Sequence, residues 1–175
     1  AQLIEWSASL GSDISFFFSR GSAYCTGRGE LIEPLPPLAS SPCYLVKPPY
    51  GCSTPDIFKG LALSPGQDLD GEDPLKLLGS FRESVGDAPY VNDLEPPAFD
   101  LRPELRALRD ELATLGFDAV MMSGSGSTVF CIGEPDEAVR STWQAEIASK
   151  YEAQVFAERF CMRPADEKLW YAEEP

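Results

Sequence analysis

The block from Leu101 to Gly133 restricts the fold more than any other stretch of the chain. Leu101, Leu105, Leu108, Leu112 and Leu115 recur at steps of three and four residues, the spacing that lays one apolar stripe along a helix. Gly116 follows as a C-terminal stop. Two apolar runs come next, FDAVMMS (117–123) and TVFCIG (128–133), each of strand length. A striped helix followed at once by a strand pair has to cover that pair, so the block predicts helices layered on an antiparallel sheet.

The rest of the chain extends the pattern. Around the block, CYLVKPP (43–49) reads as a strand, STPDIFKGLAL (53–63) and DPLKLLGSFRESVG (73–86) as helices, DEAVRSTWQAEIASKY (136–151) as a helix and AQVFAERFCM (153–162) as a last strand. VNDLEPPAFD (91–100) is expected to be broken by Pro96 and Pro97. From residue 41 to 175 the predicted order is that of an α+β, ferredoxin-like domain with extra helices. Upstream, residues 2–10 have helical apolar spacing, ISFFFSRGSAYCTG (14–27) reads as a buried strand and ELIEPLP as a second strand. PLPPLASSP (34–42) is the best linker. One helix and two strands do not close a core, so residues 1–40 are expected to be the remnant of another domain.

Charge and composition narrow the function. The chain carries a formal net charge of −14 with a pI near 4.3, which disfavours nucleic acid and anionic membrane surfaces as partners. A small phosphorylated ligand is still possible, because local dipoles and a few cations outweigh net charge at short range. The acidic runs DLDGED and the terminal AEEP read as solvated loops. No apolar run approaches the roughly 20 residues that span a bilayer. There is no histidine, which removes Ser-His-Asp and Cys-His chemistry and most zinc sites. The five cysteines have no C-x-x-C spacing and are expected to be buried free thiols in a reducing compartment.

Three stretches could carry chemistry. Ser123, Gly124, Ser125, Gly126 and Ser127 join the two strands of the central block. Such a Gly/Ser bend is either a plain connection or a nest of N–H groups around an anion, and glycine lets a phosphate approach the backbone. It lacks the P-loop lysine. In LGSDISFFF (10–18), Asp13 between a helix end and aromatic residues is either a base or a turn aspartate. In CSTPDIF (52–58), Ser53 and Thr54 are natural helix N-caps, and Phe58 lies one turn on; the same features could hold a phosphate and a base together.

The ordered set LGSDISFFF, GSAYCTGRGE, KPPYGCSTPDIFKG and MSGSGSTVF resembles the 4-diphosphocytidyl-2-C-methyl-D-erythritol kinase family of the GHMP kinase superfamily. VNDLEPPAFD and RPADEKLWY are similar to the plant and algal plastid type. The resemblance implies a GHMP kinase architecture: an N-terminal domain like the second domain of ribosomal protein S5, only partly present here in 1–40, and a complete C-terminal ferredoxin-like domain in 41–175. It implies ATP and Mg²⁺ as requirements, a cytidine-diphosphate-linked methylerythritol as the small-molecule substrate, and a plastid stroma location. Asp13 matches the family's catalytic base or hydroxyl-orienting acid. Phe58 matches the ring that stacks on cytosine, Thr54 with Ser53 the hydroxyl segment near the diphosphate, and Ser123 to Ser127 the third motif, which closes over the phosphates. The family's lysine partner of that aspartate, its cytosine-contacting histidine and its glycine-rich ATP loop have no match. The chain is therefore expected to be an inactive C-terminal fragment. The alternatives are another GHMP kinase, acting on mevalonate or homoserine, and a non-catalytic ferredoxin-like module.

Overall fold

The computed structural model describes residues 6–7, 9–36, 38–64, 71 and 73–160. They fall into two compact units, Ala1–Ser40 with Phe160–Pro175, and Ser41–Arg159. Most of the acidic run DLDGED, the closing RPADEKLWY and Cys161 lie outside the described residues, as do Leu3 and Ile4 of the first expected helix.

In the first unit, Trp6, Ser7, Ser9 and Leu10 are helical. A seven-residue 3-10 helix, Ser12–Phe18, follows, where the sequence reads as the start of a buried strand. Among the described residues of the unit β1 (Ala23–Thr26) pairs only with β2 (Leu31–Pro34), in a two-stranded antiparallel ribbon. With no further strand among the described residues of the unit, the aromatic run satisfies its backbone locally: Ile14 N–H donates to Gly11 O at 3.3 Å and Ser19 N–H to Phe16 O at 2.8 Å. The small residues Ser15 and Ser19 turn inward, and Phe17 is 63% exposed.

The second unit is built on a four-stranded antiparallel sheet. Its strands are β3 (Pro42–Lys47), β4 (Ala119–Met122), β5 (Val129–Ile132) and β6 (Gln154–Arg159), in the spatial order β4-β5-β3-β6. The first strand of the unit therefore lies between the third and the last, the arrangement of a ferredoxin-like sheet. Register follows the pleat: Tyr44 faces Cys131, and Val46 faces Val129 on the side that the helices cover.

Five helices complete the unit: α1 (Thr54–Gly60), α2 (Pro74–Glu83), α3 (Glu95–Leu101), α4 (Pro103–Ala113) and α5 (Trp143–Tyr151). Leu105, Leu108 and Leu112 of α4 are fully buried, in a core with Val46, Ile57, Phe99, Met122, Val129, Trp143 and Ile147. Tyr44, Phe117 and Trp143 form an aromatic knot with ring centroids 5.1–5.7 Å apart. The stripe read from Leu101 onward begins one turn later than expected, because Leu101 ends α3 and is 55% exposed.

Three further expectations are corrected. Pro96 and Pro97 do not break their segment; they open α3 from its first turn, where an N–H has no intrahelical acceptor and the fixed proline φ suits the helix. Proline opens α1, α2 and α4 in the same way. The helix read over 136–151 forms only from Trp143. Before it the chain makes turns, with Val139 N–H donating to Asp136 O and Thr142 N–H to Val139 O, both at 3.0 Å. Among the described cysteines, all free, Cys43 and Cys131 are buried, Cys52 is partly buried, and Cys25 is exposed rather than buried.

Candidate functional site

The bend from Ser123 to Ser127 connects β4 to β5 and is fastened at several points. Ser123 N–H donates to Thr128 O at 2.8 Å, closing the strand pair, and Gly126 N–H donates to Ser123 O at 2.9 Å. Two of the loop's N–H groups are thus spent inside it. Those of Gly124 and Ser125 donate to no backbone carbonyl among the described residues. Gly124 has φ +54°, with open space where a Cβ would stand. Gly126 has φ +84°, and a Cβ there would lie 2.7 Å from Met122 Sδ. One glycine faces outward, and the other packs against the core.

Ser127 is fully buried. Its hydroxyl donates to the Tyr50 carbonyl and accepts from Lys47 Nζ at 3.1 Å. Lys47 is the last residue of β3, so the central strand delivers its one ammonium to the base of the loop. Ser125 reaches the other way, its Oγ 2.7 Å from Thr54 Oγ1. Thr54 is the first residue of α1, and that hydrogen bond ties the helix start to the loop.

On α1, Ile57 is buried in the core while Phe58 is 55% exposed. Phe58 is therefore not a core residue, and its ring is open to contact from solvent. Ser53 precedes the helix with its backbone extended and caps no N–H with its side chain. It donates instead to Asp56, and this bond, with Lys59, holds the Asp56 carboxyl below its usual range.

Beside this helix lies a cleft of about 240 Å³ lined by Cys52, Ser53, Asp56, Ile57, Leu101 and Arg102. Burial pushes the Cys52 thiol up, and the positive charges of Arg102 and Lys47 draw it partly back. Both cations therefore act on the same thiol of a strongly acidic chain. Arg102 lies 5.5 Å over the Tyr50 ring, and burial pushes the Tyr50 phenol up to about 12. Within the second unit the structure brings Thr54, Ser125, Ser127, Lys47 and the outward Gly124 together around one small-residue loop. Such a loop with two cations nearby suits an anionic ligand.

Asp13 belongs to the first unit. It stands exposed in the first turn of the 3-10 helix, with its Oδ1 against Gly29, 3.2 Å from where a Cβ would stand. Its charge contributes to raising the Cys25 thiol, after burial.

Sequence reasoning missed Lys47, Asn92 and Arg102. Lys47 had a signal, a charge at the end of the apolar run CYLV. Asn92 and Arg102 had none: their local partners are Leu94 and Glu104, and the contacts that tie them to the site, Asn92 to Met122 and Gly124 and Arg102 to the Tyr50 ring, lie far along the chain.

The chain is similar to known proteins along most of its length. Residues 69–149 match the family model described as GHMP kinases C terminal. The chain is 41% identical to a 4-diphosphocytidyl-2-C-methyl-D-erythritol kinase of Protochlamydia amoebophila, over 99% of this chain and 52% of that protein. It is 42% identical to a chloroplastic kinase of the same name from Oryza sativa subsp. japonica, over 98% of this chain and 42% of that protein. It thus spans about half the length of these relatives. A crystal structure of 4-(cytidine 5'-diphospho)-2C-methyl-D-erythritol kinase superposes with a TM-score of 0.67 at 30% identity, over 90% of this chain and 56% of that one. A homoserine kinase from Cytophaga hutchinsonii superposes at 0.52 with 12% identity, over 75% and 45% of the two chains, a likeness of fold alone.

Proposed function

The chain belongs to the 4-diphosphocytidyl-2-C-methyl-D-erythritol kinase family of the GHMP kinases, and we propose that it contributes acceptor binding and loop closure to that family's reaction. In that reaction the 2-hydroxyl of the methylerythritol moiety attacks the γ-phosphorus of ATP. The bond to the β-phosphate oxygen breaks, ADP leaves, and the hydroxyl proton passes to a base.

The observation that carries the reading is the hydrogen bond of 2.7 Å between Thr54 and Ser125. It makes the start of α1 and the small-residue loop one surface, and Phe58 presents its ring from that helix. In this reading Phe58 stacks on the cytosine. Thr54 and Ser53 face the diphosphate, and the Ser123–Ser127 loop with Lys47 and Arg102 neutralises phosphate charge. Transfer of a phosphoryl group depends on this positioning and charge stabilisation more than on covalent help. Asp13 is assigned to orient the hydroxyl and accept its proton, a role that its exposed carboxylate permits.

Among the described residues no three His, Cys, Asp or Glu side chains cluster as metal ligands. Mg²⁺ would be held with the ATP phosphates, whose charge it would neutralise, in keeping with its preference for phosphate and water ligands. The chloroplastic names of plant relatives support a plastid location, and a reducing stroma suits the free thiols.

Calorimetric titration of the chain with cytidine diphosphate tests the reading. Saturable binding is expected, with a flat titration for homoserine. A flat trace for cytidine diphosphate at millimolar concentration would overturn it.

A further inference from the structure

One side chain holds the loop and has no part in the chemistry proposed above. Asn92 lies just ahead of α3, and its Oδ1 accepts from the Leu94 N–H at 3.0 Å. That turn spends the oxygen and aims the amide N–H₂ at the end of β4. There Nδ2 donates to two carbonyls, Met122 O and Gly124 O, each at 2.8 Å. From the same segment Glu95 Oε1 accepts the Met122 N–H at 2.8 Å, and Arg109 pairs with Glu95 at 3.6 Å. Asn92 is thus bonded on both sides of Ser123, across the point where strand becomes loop.

The peptide plane gives this bridge a consequence. In a trans peptide the C=O of one residue and the N–H of the next point in opposite directions. Holding the Gly124 carbonyl toward Asn92 turns the Ser125 N–H away from it. Gly124, at φ +54° and without a side chain to restrict it, would otherwise leave that plane free to rotate.

We propose that Asn92 is a positioning residue: by bridging the Met122 and Gly124 carbonyls it fixes the direction in which the Ser125 N–H meets a phosphate. The proposal rests on the phosphate-loop reading of the site.

The test uses two variants. Asn92→Asp keeps the acceptor for Leu94 but has no donor, and Asn92→Ala removes both without adding charge. Binding of cytidine diphosphate and of cytidine is measured by NMR titration, and protection of the Ser123 and Gly126 amides by hydrogen exchange. Both variants are expected to bind cytidine diphosphate about tenfold more weakly, bind cytidine unchanged, and lose protection at those two amides. Unchanged affinity for cytidine diphosphate overturns the proposal. So does an equal loss for both ligands, which would mark a general loosening. If the unsubstituted chain binds neither ligand, the functional reading fails and exchange decides the bridge alone: lost protection upholds it, and unchanged protection overturns it.

Discussion

Gly124 and Gly126 stand two residues apart at positive φ, yet they answer to different constraints. Gly126→Ala puts a methyl group within 2.7 Å of Met122 Sδ at φ +84°, and Met122 is fully buried. We expect a loss of about 1–3 kcal/mol in urea unfolding. Gly124→Ala meets open space and should cost only the left-handed backbone penalty, about 1 kcal/mol. Phe58→Ala separates binding from stability in the same way. The ring is 55% exposed, so the unfolding midpoint should hardly move, while affinity for cytidine diphosphate should fall about tenfold or more if base stacking contributes ~1–3 kcal/mol. Equal affinity in the calorimeter removes Phe58 from the site. At this scale the sequence identifies residues whose chemistry is local, such as a ring one turn into a helix or glycines in a bend. It does not identify Asn92, whose partners Met122 and Gly124 are some 30 residues downstream.

At the scale of elements, α4 and α5 are clasped at their solvent edge. Glu111 accepts from Lys150 Nζ at 2.6 Å and from the Tyr151 hydroxyl. These bonds, Lys150 first, hold the Glu111 carboxyl below its ordinary range. A lowered carboxylate contributes stability that is complete above the unfolded value, about 4.3, and is lost as pH falls from there through the folded value. Urea midpoints taken at pH 6 and pH 3 should therefore fall further for the unsubstituted chain than for Glu111→Gln. Parallel falls would show that the clasp contributes nothing. The elements themselves were largely legible. The stripe of α4 and the two strands after it follow directly from residue spacing. The failures have physical causes. Pro96 and Pro97 look like breakers until their place in a first turn is known, and that place is set by Leu94 and Asn92 ahead of them. The aromatic run 14–18 looks like a buried strand, but whether it becomes one depends on strand partners, which its own residues do not encode. The turns before Trp143 take helical composition but mix i to i+3 bonds with an i to i+4 bond from Trp143 N–H to Val139 O, and Arg140 pairs there with Glu134 and Glu137.

At the scale of the molecule, the buried cluster that contains α4 and the sheet is drawn wholly from Ser41–Arg159. A chain cut to 41–159 should therefore unfold cooperatively by itself, with a near-ultraviolet circular dichroism signal from the Tyr44, Phe117 and Trp143 knot. A non-cooperative transition would mean that the unit needs its neighbour. The sheet order also governs how that unit comes into being. Because β3 is flanked by β5 and β6, Lys47 cannot meet Gln154 until more than a hundred intervening residues have left the ribosome. Vectorial synthesis thus presents the central strand long before its last neighbour exists, and a strand carrying Leu45 and Val46 waits with one side unpaired. Closure of the sheet is a late event in the life of the nascent chain, and a chaperone would have its longest opportunity on β3, the first strand of that sheet to be made.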